Sequence, residues 1–166
     1  MISIFKNINY FAGKSKLLDW FAIFCAKYLL YLMMIFLLAF AYYENNWQAF
    51  FYSLLSGLFA AFIIDTIIYV FYKKHRPAEL KSAKVLIPIP KNPSFPSRHS
   101  SFIFGVSFCL FLYNFPLAIA FIICSCLVGL ARVFCGVHWF TDVVAEVFTR
   151  FISTFLVYGL INYIRL

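Results

Sequence analysis

Apolar residues run along this chain in long stretches that are separated by short polar breaks. The first long stretch covers roughly residues 18–43 and is interrupted by Lys27, which can snorkel to the interface. The second covers residues 47–72, and the polar turn Glu44–Asn46 separates the two. A helix needs about 20 largely apolar residues to cross the hydrocarbon core of a bilayer, and both stretches are long enough. Because lipid offers no partner to an unpaired backbone group, we expect both stretches to be helical.

Three further apolar stretches follow a long polar loop over residues 73–97, which five prolines keep out of a helix. These later stretches are predicted to be helices over about residues 97–113, 117–134 and 138–164. Residues 2–13 are apolar but too short to span, so a short interfacial helix is predicted there. The pattern predicts an all-α, polytopic membrane helix bundle with about five transmembrane helices.

Composition agrees with a membrane protein, since 64% of the 166 residues are hydrophobic and only 12% are charged. The length allows one domain, so residues 1–166 are interpreted as a single integral-membrane domain. The net charge of +8 is concentrated in the polar loop. Such charge can bind anionic headgroups, or it can mark a cytoplasmic loop. The five cysteines are spaced neither as a disulfide framework nor as a zinc site.

Polar residues at four predicted helix ends are expected to meet on one face of the membrane. The second helix ends near Arg76, the third begins near Ser97, the fourth ends at Arg132 and the fifth begins at His138. With alternating spans, all these ends lie at the same depth. Charged groups are costly in a bilayer, so their gathering near the interface indicates a function.

Two histidines carry the candidate chemistry. His138 and Asp142 are four residues apart at a helix start, so they share one face. A carboxylate beside an imidazole fixes its tautomer and leaves the other ring nitrogen free to attack. An ordinary helix cap with a polar pair is the alternative. His99 follows Ser97 at another helix N-terminus, where backbone N–H groups favour an anion, although Ser97 can also be a simple N-cap.

These residues resemble three motifs of the type 2 phosphatidic acid phosphatase superfamily, whose members are membrane-embedded, metal-independent and act on lipid phosphates. The family motifs are Lys-x6-Arg-Pro, Pro-Ser-x-His and Ser-Arg-x5-His-x3-Asp. The matching residues of this chain, in the same order, are Arg76-Pro77, then Pro96-Ser97-Arg98-His99, then Arg132, His138 and Asp142.

Three positions depart from the family motifs. Tyr69 stands where the family has its lysine, Ala131 replaces the serine, and Arg98 replaces the glycine. Lys73 lies one helical turn beyond Tyr69, so we hypothesise that Lys73 supplies the missing ammonium group. These departures bear on the substrate more than on the type of reaction.

The resemblance implies a role for each matching residue. His138 would attack phosphorus and form a phosphohistidine, Asp142 would orient His138, and His99 would protonate the leaving oxygen and then activate water. The phosphoryl oxygens would be held by the polar side chains Arg76, Ser97, Arg98 and Arg132, with Lys73 as the added cation. No cofactor and no metal are implied, and the spacing of His75, His99 and His138 lacks a zinc-ligand signature.

A second group of charged residues continues into the bundle. Glu146 and Arg150 extend the four-residue spacing that begins at His138. They are predicted to form a structural pair, joined by Asp65 or Lys27 from another helix.

The resemblance implies a lipid phosphatase whose partners are a lipid phosphate and the bilayer, with no nucleic acid. The short chain resembles bacterial members that dephosphorylate undecaprenyl diphosphate, and phosphatidylglycerophosphate and lipid A phosphates are alternatives. Tyr69 and Ala131 favour a different class, a non-catalytic lipid-binding or transport protein, whereas the intact histidines argue against it.

The positive-inside rule places the basic loop in the cytoplasm. The family instead implies an extracytoplasmic site in a bacterial plasma membrane, and we adopt that orientation.

Overall fold

The fold, taken from a computed structural model, is described for residues 2–164, with side-chain surroundings described to residue 159. All regular elements within this range are helical, which confirms the all-α prediction. The α-helices in chain order are α1 (Ile2–Asn9), α2 (Lys16–Lys27), α3 (Leu29–Tyr43), α4 (Trp47–Leu58), α5 (Asp65–Phe71), α6 (Arg98–Cys109), α7 (Phe115–Phe134) and α8 (Phe140–Ile164).

The first long apolar stretch forms two helices instead of the one that was predicted. Helices α2 and α3 meet at Tyr28 with a bend of 53°. The carbonyl of Ala26 accepts a hydrogen bond from Nη1 of Arg132 at 3.2 Å. A side chain that enters the backbone ladder of a helix is a common cause of a sharp bend. The prediction of a continuous helix over 18–43 is therefore wrong, because a residue from a distant helix interrupts it.

The second apolar stretch is continuous but contains a π-helical turn. Helix α4 passes through this turn at Phe59–Ile64 into α5. The carbonyl of Ala60, inside the turn, accepts from Nη1 of Arg150 at 3.2 Å. Such turns loosen the helical ladder, and this one gives a buried guanidinium a backbone partner.

The number of helices able to span a bilayer is smaller than predicted. Among the described residues, Trp47–Phe71 and Phe115–Phe134 are long and apolar enough, and the bent pair α2–α3 makes a third candidate. Helix α6 with its 3₁₀ extension, Arg98–Leu112, is too short, and α8 carries Asp142, Glu146 and Arg150. All five predicted segments are helical. However, only two or three of the described helices are long and apolar enough to cross a bilayer, against the five that were predicted. The protein is nevertheless an integral membrane protein.

Helix α6 forms the centre of the bundle. Almost every residue from Ser100 to Leu110 is buried, and α6 packs against α4, α7 and α8. At the contact with α4, a Cβ placed on Gly105 would lie 3.1 Å from Cα of Gly57. Small residues at a helix crossing allow the backbones to approach closely. The first turn of α6, which carries His99, is thereby fixed against its neighbours.

The polar loop lies over the turn between α7 and α8, and α1 braces it. The side chain of Asn9 donates to the carbonyls of Lys84 and Phe134, each at 2.8 Å, and accepts from the Lys84 N–H at 2.8 Å. Gly136 adopts a φ of +82°, and a Cβ there would lie 2.4 Å from the Lys84 carbonyl oxygen. The predicted short N-terminal helix is present, and it anchors the loop to the helix bundle.

Candidate active site

His138 lies in the turn between α7 and α8 and is only 1% exposed. Its Nδ1 lies 2.7 Å from the carbonyl oxygen of Ser94, which can only accept, so Nδ1 carries the proton. Its Nε2 lies 3.2 Å from Nη1 of Arg76 and 3.4 Å from Nη2 of Arg132. Because guanidinium nitrogens only donate, Nε2 holds a lone pair. The arrangement defines a neutral imidazole whose nucleophilic nitrogen faces two arginines.

The surroundings of His138 keep it neutral. Burial, followed by the charges of Arg132 and Arg76, places the pKa of His138 well below its usual value near 6.5. The protonated form is therefore scarce at pH 7. The lone pair on Nε2 stays available for attack on an electrophile.

Asp142 contacts His138 less directly than predicted. Its Oδ1 lies 2.5 Å from Nζ of Lys74, and its Oδ2 accepts from the Ser94 hydroxyl at 2.6 Å and from the Trp139 N–H at 3.2 Å. The distance from Oδ2 to Nδ1 of His138 is 4.0 Å. Ser94 links the two residues, since its hydroxyl binds Asp142 and its carbonyl accepts from the imidazole. The carboxylate thus acts on His138 through Ser94 and through its charge.

Arg76 is hydrogen-bonded by the polar loop and by the turn between α7 and α8. Its Nε donates to the Asn92 carbonyl at 3.0 Å, and its Nη2 donates to Asn92 Oδ1 at 3.3 Å and to the Pro93 carbonyl at 3.0 Å. Its Nη1 donates to the Val137 carbonyl at 2.8 Å and faces His138. All five N–H groups of a guanidinium are thereby used. Arg76 fixes the loop against the α7–α8 turn and presents one donor to the site.

Arg132, in contrast, keeps donor capacity free. Its guanidinium is bonded to Ala26 and faces His138, but its buried Nε has no hydrogen-bond partner among the described residues. A buried donor without a partner carries a penalty that an incoming acceptor would relieve. Anionic phosphoryl oxygens are strong partners for a guanidinium edge. Arg132 is therefore the arginine best placed to bind a phosphoryl group.

His99 lies on the first turn of α6 and faces a cavity. This cavity of about 270 Å³ is lined by His99 and Arg132 and by the bend between α2 and α3. His99 is half-buried and makes no hydrogen bond to the part of the chain that the structure describes. An imidazole with free ring nitrogens beside a guanidinium can exchange protons with a bound group.

Three of the predicted phosphate-binding residues lie outside this cluster. Arg98 is exposed, and its guanidinium lies 5.5 Å from the centre of the Tyr69 ring. Ser97 is buried, and its backbone N–H donates to Oε1 of Glu146. Lys73 is exposed, whereas the next residue along the chain contacts Asp142. Among the described residues, none of these three side chains forms a hydrogen bond with His138, Arg76 or Arg132.

Tyr69, which replaces the family's lysine, supports the loop. Its hydroxyl donates to the Pro96 carbonyl at 2.5 Å and accepts from Nδ2 of Asn92 at 2.6 Å. Asn92 in turn holds Arg76. Sequence reasoning missed Asn92, Ser94 and Lys74, because a basic and proline-rich loop offers no spacing that separates these residues from their neighbours.

The predicted pair of Glu146 and Arg150 takes a different form. Nη2 of Arg150 lies 2.6 Å from Oδ1 of Asp65, and both side chains are fully buried. Glu146 instead accepts from the Ser97 N–H. Asp65 joins the group as predicted, whereas Lys27 lines a cavity with His99 and Arg132. This interior cluster connects α5 and α8 to the first turn of α6.

Comparison with known proteins identifies the family. The family model described as the PAP2 superfamily matches residues 50–165. The chain belongs to the PAP2 superfamily. This confirms the resemblance drawn from the three motifs and makes the protein a membrane lipid phosphate hydrolase.

Individual PAP2 relatives extend over nearly the whole chain. The undecaprenyl-diphosphatase BcrC of Bacillus subtilis (strain 168) is 26% identical over 164 residues, covering 98% of this chain and 84% of the relative. The crystal structure of Aquifex aeolicus LpxE has a TM-score of 0.69 at 22% identity and covers 95% of this chain and 94% of that one. The PAP2-type phosphatidylglycerolphosphate phosphatase of Bacillus subtilis has a TM-score of 0.65 at 22% identity, with coverages of 98% and 86%. These structures share the fold.

Proposed function

We propose that this PAP2 protein hydrolyses undecaprenyl diphosphate to undecaprenyl phosphate and phosphate through a phosphohistidine intermediate, without a metal. The observation that carries the proposal is His138, a buried neutral imidazole whose Nε2 lone pair faces Arg76 and Arg132. The similarity to an undecaprenyl-diphosphatase supports the choice of substrate. The proposal includes a bacterial plasma membrane with the site on the extracytoplasmic side, the orientation that the family resemblance implies.

In the first step, Nε2 of His138 attacks the terminal phosphorus. The bond between phosphorus and the bridging oxygen breaks, and His99 donates a proton to the leaving oxygen. Burial and the charge of Arg132 lower the pKa of His99 to about 4, so His99 takes up this proton when the anionic substrate binds beside it. Arg132 binds the phosphoryl oxygens through its Nε, which has no hydrogen-bond partner among the described residues. Charge spreads over those oxygens in the transition state, so positioned donors supply most of the stabilisation.

In the second step, water attacks the phosphohistidine and His99 accepts its proton. The phosphorus–nitrogen bond breaks, phosphate leaves and His138 returns to its neutral form. During the intermediate, the imidazole carries positive charge while Nδ1 still donates to the Ser94 carbonyl. The carboxylate of Asp142, 4.0 Å from Nδ1, stabilises that charge.

A phosphate-release assay tests the proposal. We expect the purified protein in detergent to release inorganic phosphate from undecaprenyl diphosphate, and to keep its activity in excess chelator, because imidazole and guanidinium groups perform the reaction. Phosphatidylglycerophosphate and a lipid A phosphate serve as competing substrates. If either competitor is turned over faster than undecaprenyl diphosphate, that competitor is the preferred substrate and the proposed substrate is wrong. Binding of all three lipids without phosphate release would support a non-catalytic lipid-binding or transport protein.

Lys74 is expected to support catalysis through Asp142. The Lys74 ammonium is the cation that contacts Asp142, at 2.5 Å. Replacement by methionine removes a hydrogen bond between charged groups, and we expect phosphate release to fall about 10- to 100-fold, the equivalent of about 1.5–3 kcal/mol. Steady-state rates on undecaprenyl diphosphate, with monodispersity checked by size exclusion, measure the loss.

The comparison with the neighbouring lysine decides which residue replaces the family's ammonium. Lys73→Met is expected to lose less activity than Lys74→Met, because the Lys73 side chain is exposed. The matched control is Lys81→Met, at another exposed lysine of the same loop. A larger loss at Lys73 than at Lys74 would contradict the structure and restore the role predicted for Lys73 from the sequence.

A further inference from the structure

A lysine lines the cavity beside His99. Lys27 is the last residue of α2, and the bend at Tyr28 turns the chain so that Lys27 and Tyr28 both border the cavity with His99 and Arg132. The Lys27 side chain is half-buried. Its ammonium lies 5.7 Å from the centre of the Tyr28 ring, and it forms no ion pair with a carboxylate of the described residues.

Arg132 connects this lysine to the reacting centre. One end of its guanidinium faces Nε2 of His138, and the other donates to the carbonyl of Ala26, the residue before Lys27. Lys27 is therefore the next residue after the one whose carbonyl holds Arg132, the arginine proposed to bind the phosphoryl group. His99 protonates the leaving oxygen in the proposed reaction, so the cavity that it lines is on the leaving-group side.

We propose that Lys27 binds the inner phosphate of a lipid diphosphate, the phosphate that stays on the lipid, and so makes the site selective for lipid diphosphates over lipid monophosphates. This inference rests on the proposed function. When the bridging bond breaks, negative charge builds up on the inner phosphate. A cation at that point stabilises the transition state more than the bound substrate. When a lipid monophosphate is the substrate, the leaving group is the lipid alcohol. It carries no second phosphate for Lys27 to bind.

The walls of the cavity strengthen this interaction. Ile87, Pro88 and Pro90 of the polar loop also line the cavity. Apolar walls exclude water and raise the strength of a charge–charge contact. The flexible stem of a lysine suits contact with a phosphate that moves away as the bond breaks.

Two substrates with the same tail test the selectivity. Phosphate release is measured for the wild type and Lys27→Met with farnesyl diphosphate and farnesyl monophosphate. We expect kcat/KM for the diphosphate to fall about 10- to 100-fold, the size of one charge-assisted contact, while the value for the monophosphate stays nearly unchanged. Lys27→Arg should retain part of the preference. Lys81→Met, at an exposed loop lysine that does not line this cavity, is the matched control.

A binding measurement separates this inference from the proposed function. Farnesyl methylenediphosphonate and farnesyl phosphonate cannot be hydrolysed at the corresponding bond, so their affinities report recognition alone. We expect Lys27→Met to weaken the binding of the diphosphonate and to leave the binding of the phosphonate nearly unchanged. Lys27-dependent binding in a wild-type protein that releases no phosphate would overturn the proposed function and keep the inference. Equal losses on both farnesyl substrates, or no loss on the diphosphate, would overturn the inference.

Discussion

Replacement of His138 by alanine, or more conservatively by glutamine, is expected to abolish phosphate release from lipid phosphates. A glutamine side chain can still donate to the Ser94 carbonyl and fill the buried space, but its amide cannot form a bond to phosphorus. Loss of the nucleophile from a catalytic unit typically costs about 10⁶-fold in kcat. The remaining rate should approach that of the lipid phosphate in the same detergent without protein.

His99→Ala is expected to lower the rate of phosphate release strongly, but less than loss of His138 does. Acid–base catalysis is typically worth about 10²- to 10⁴-fold in rate. The control is His75→Gln, because His75 is exposed and pairs with Glu79 on the loop surface. Rates are compared for variants that elute as the wild type does on size exclusion. Incorporation of a radioactive phosphate label into protein should also disappear in the His138 variants. Near-normal turnover in a His138 or His99 variant would contradict the mechanism.

Replacement of Asp65 by leucine is expected to cause the largest loss of stability. Its carboxylate lies 2.6 Å from the Arg150 guanidinium, and neither side chain is exposed. Removing one partner of a buried ion pair leaves an uncompensated charge and typically costs about 3–5 kcal/mol. The loss is measured as a decrease in the unfolding temperature or the denaturant midpoint in detergent micelles.

The double variant Asp65→Leu/Arg150→Met tests the cause of this loss. Replacing both charges by apolar side chains of similar size removes the unpaired charge, so we expect most of the stability to return. Glu44→Gln, at an exposed turn, is the matched surface control. If the double variant were as unstable as Asp65→Leu, then packing at these positions, and not charge balance, would determine the stability.

Much of the helical framework could be predicted because it depends on local pattern. The apolar stretches are long and the prolines of the loop break them clearly, so helices such as α7 begin and end close to the predicted residues. The bend at Tyr28 could not be predicted, because its cause is Arg132, which lies far away in sequence. Lys27 interrupts the apolar run next to the bend, but a single lysine can snorkel and does not by itself indicate that the helix bends.

The candidate site was predictable for the residues of the spaced motifs but not for the residues that support them. The spacing of Arg132, His138 and Asp142 identified the residues that the fold gathers. Lys73 and Lys74 are adjacent and chemically identical, so only the path of the chain after α5 decides which one contacts Asp142. The acceptor for Nδ1 of His138 is a backbone atom of Ser94, and a backbone atom has no signature in a sequence.

That backbone acceptor has a consequence for how the site tolerates change. The carbonyl of Ser94 is present whatever residue occupies position 94, so no substitution can delete the group that fixes the tautomer of His138. Its position is set by the Ser94 N–H, which donates to the Lys74 carbonyl at 2.8 Å, and by the grip of Arg76 on Asn92 and Pro93. The orientation of the nucleophile is thus encoded in the number of residues between these anchors. The segment can accept exchanges of residue type more readily than the gain or loss of a single residue.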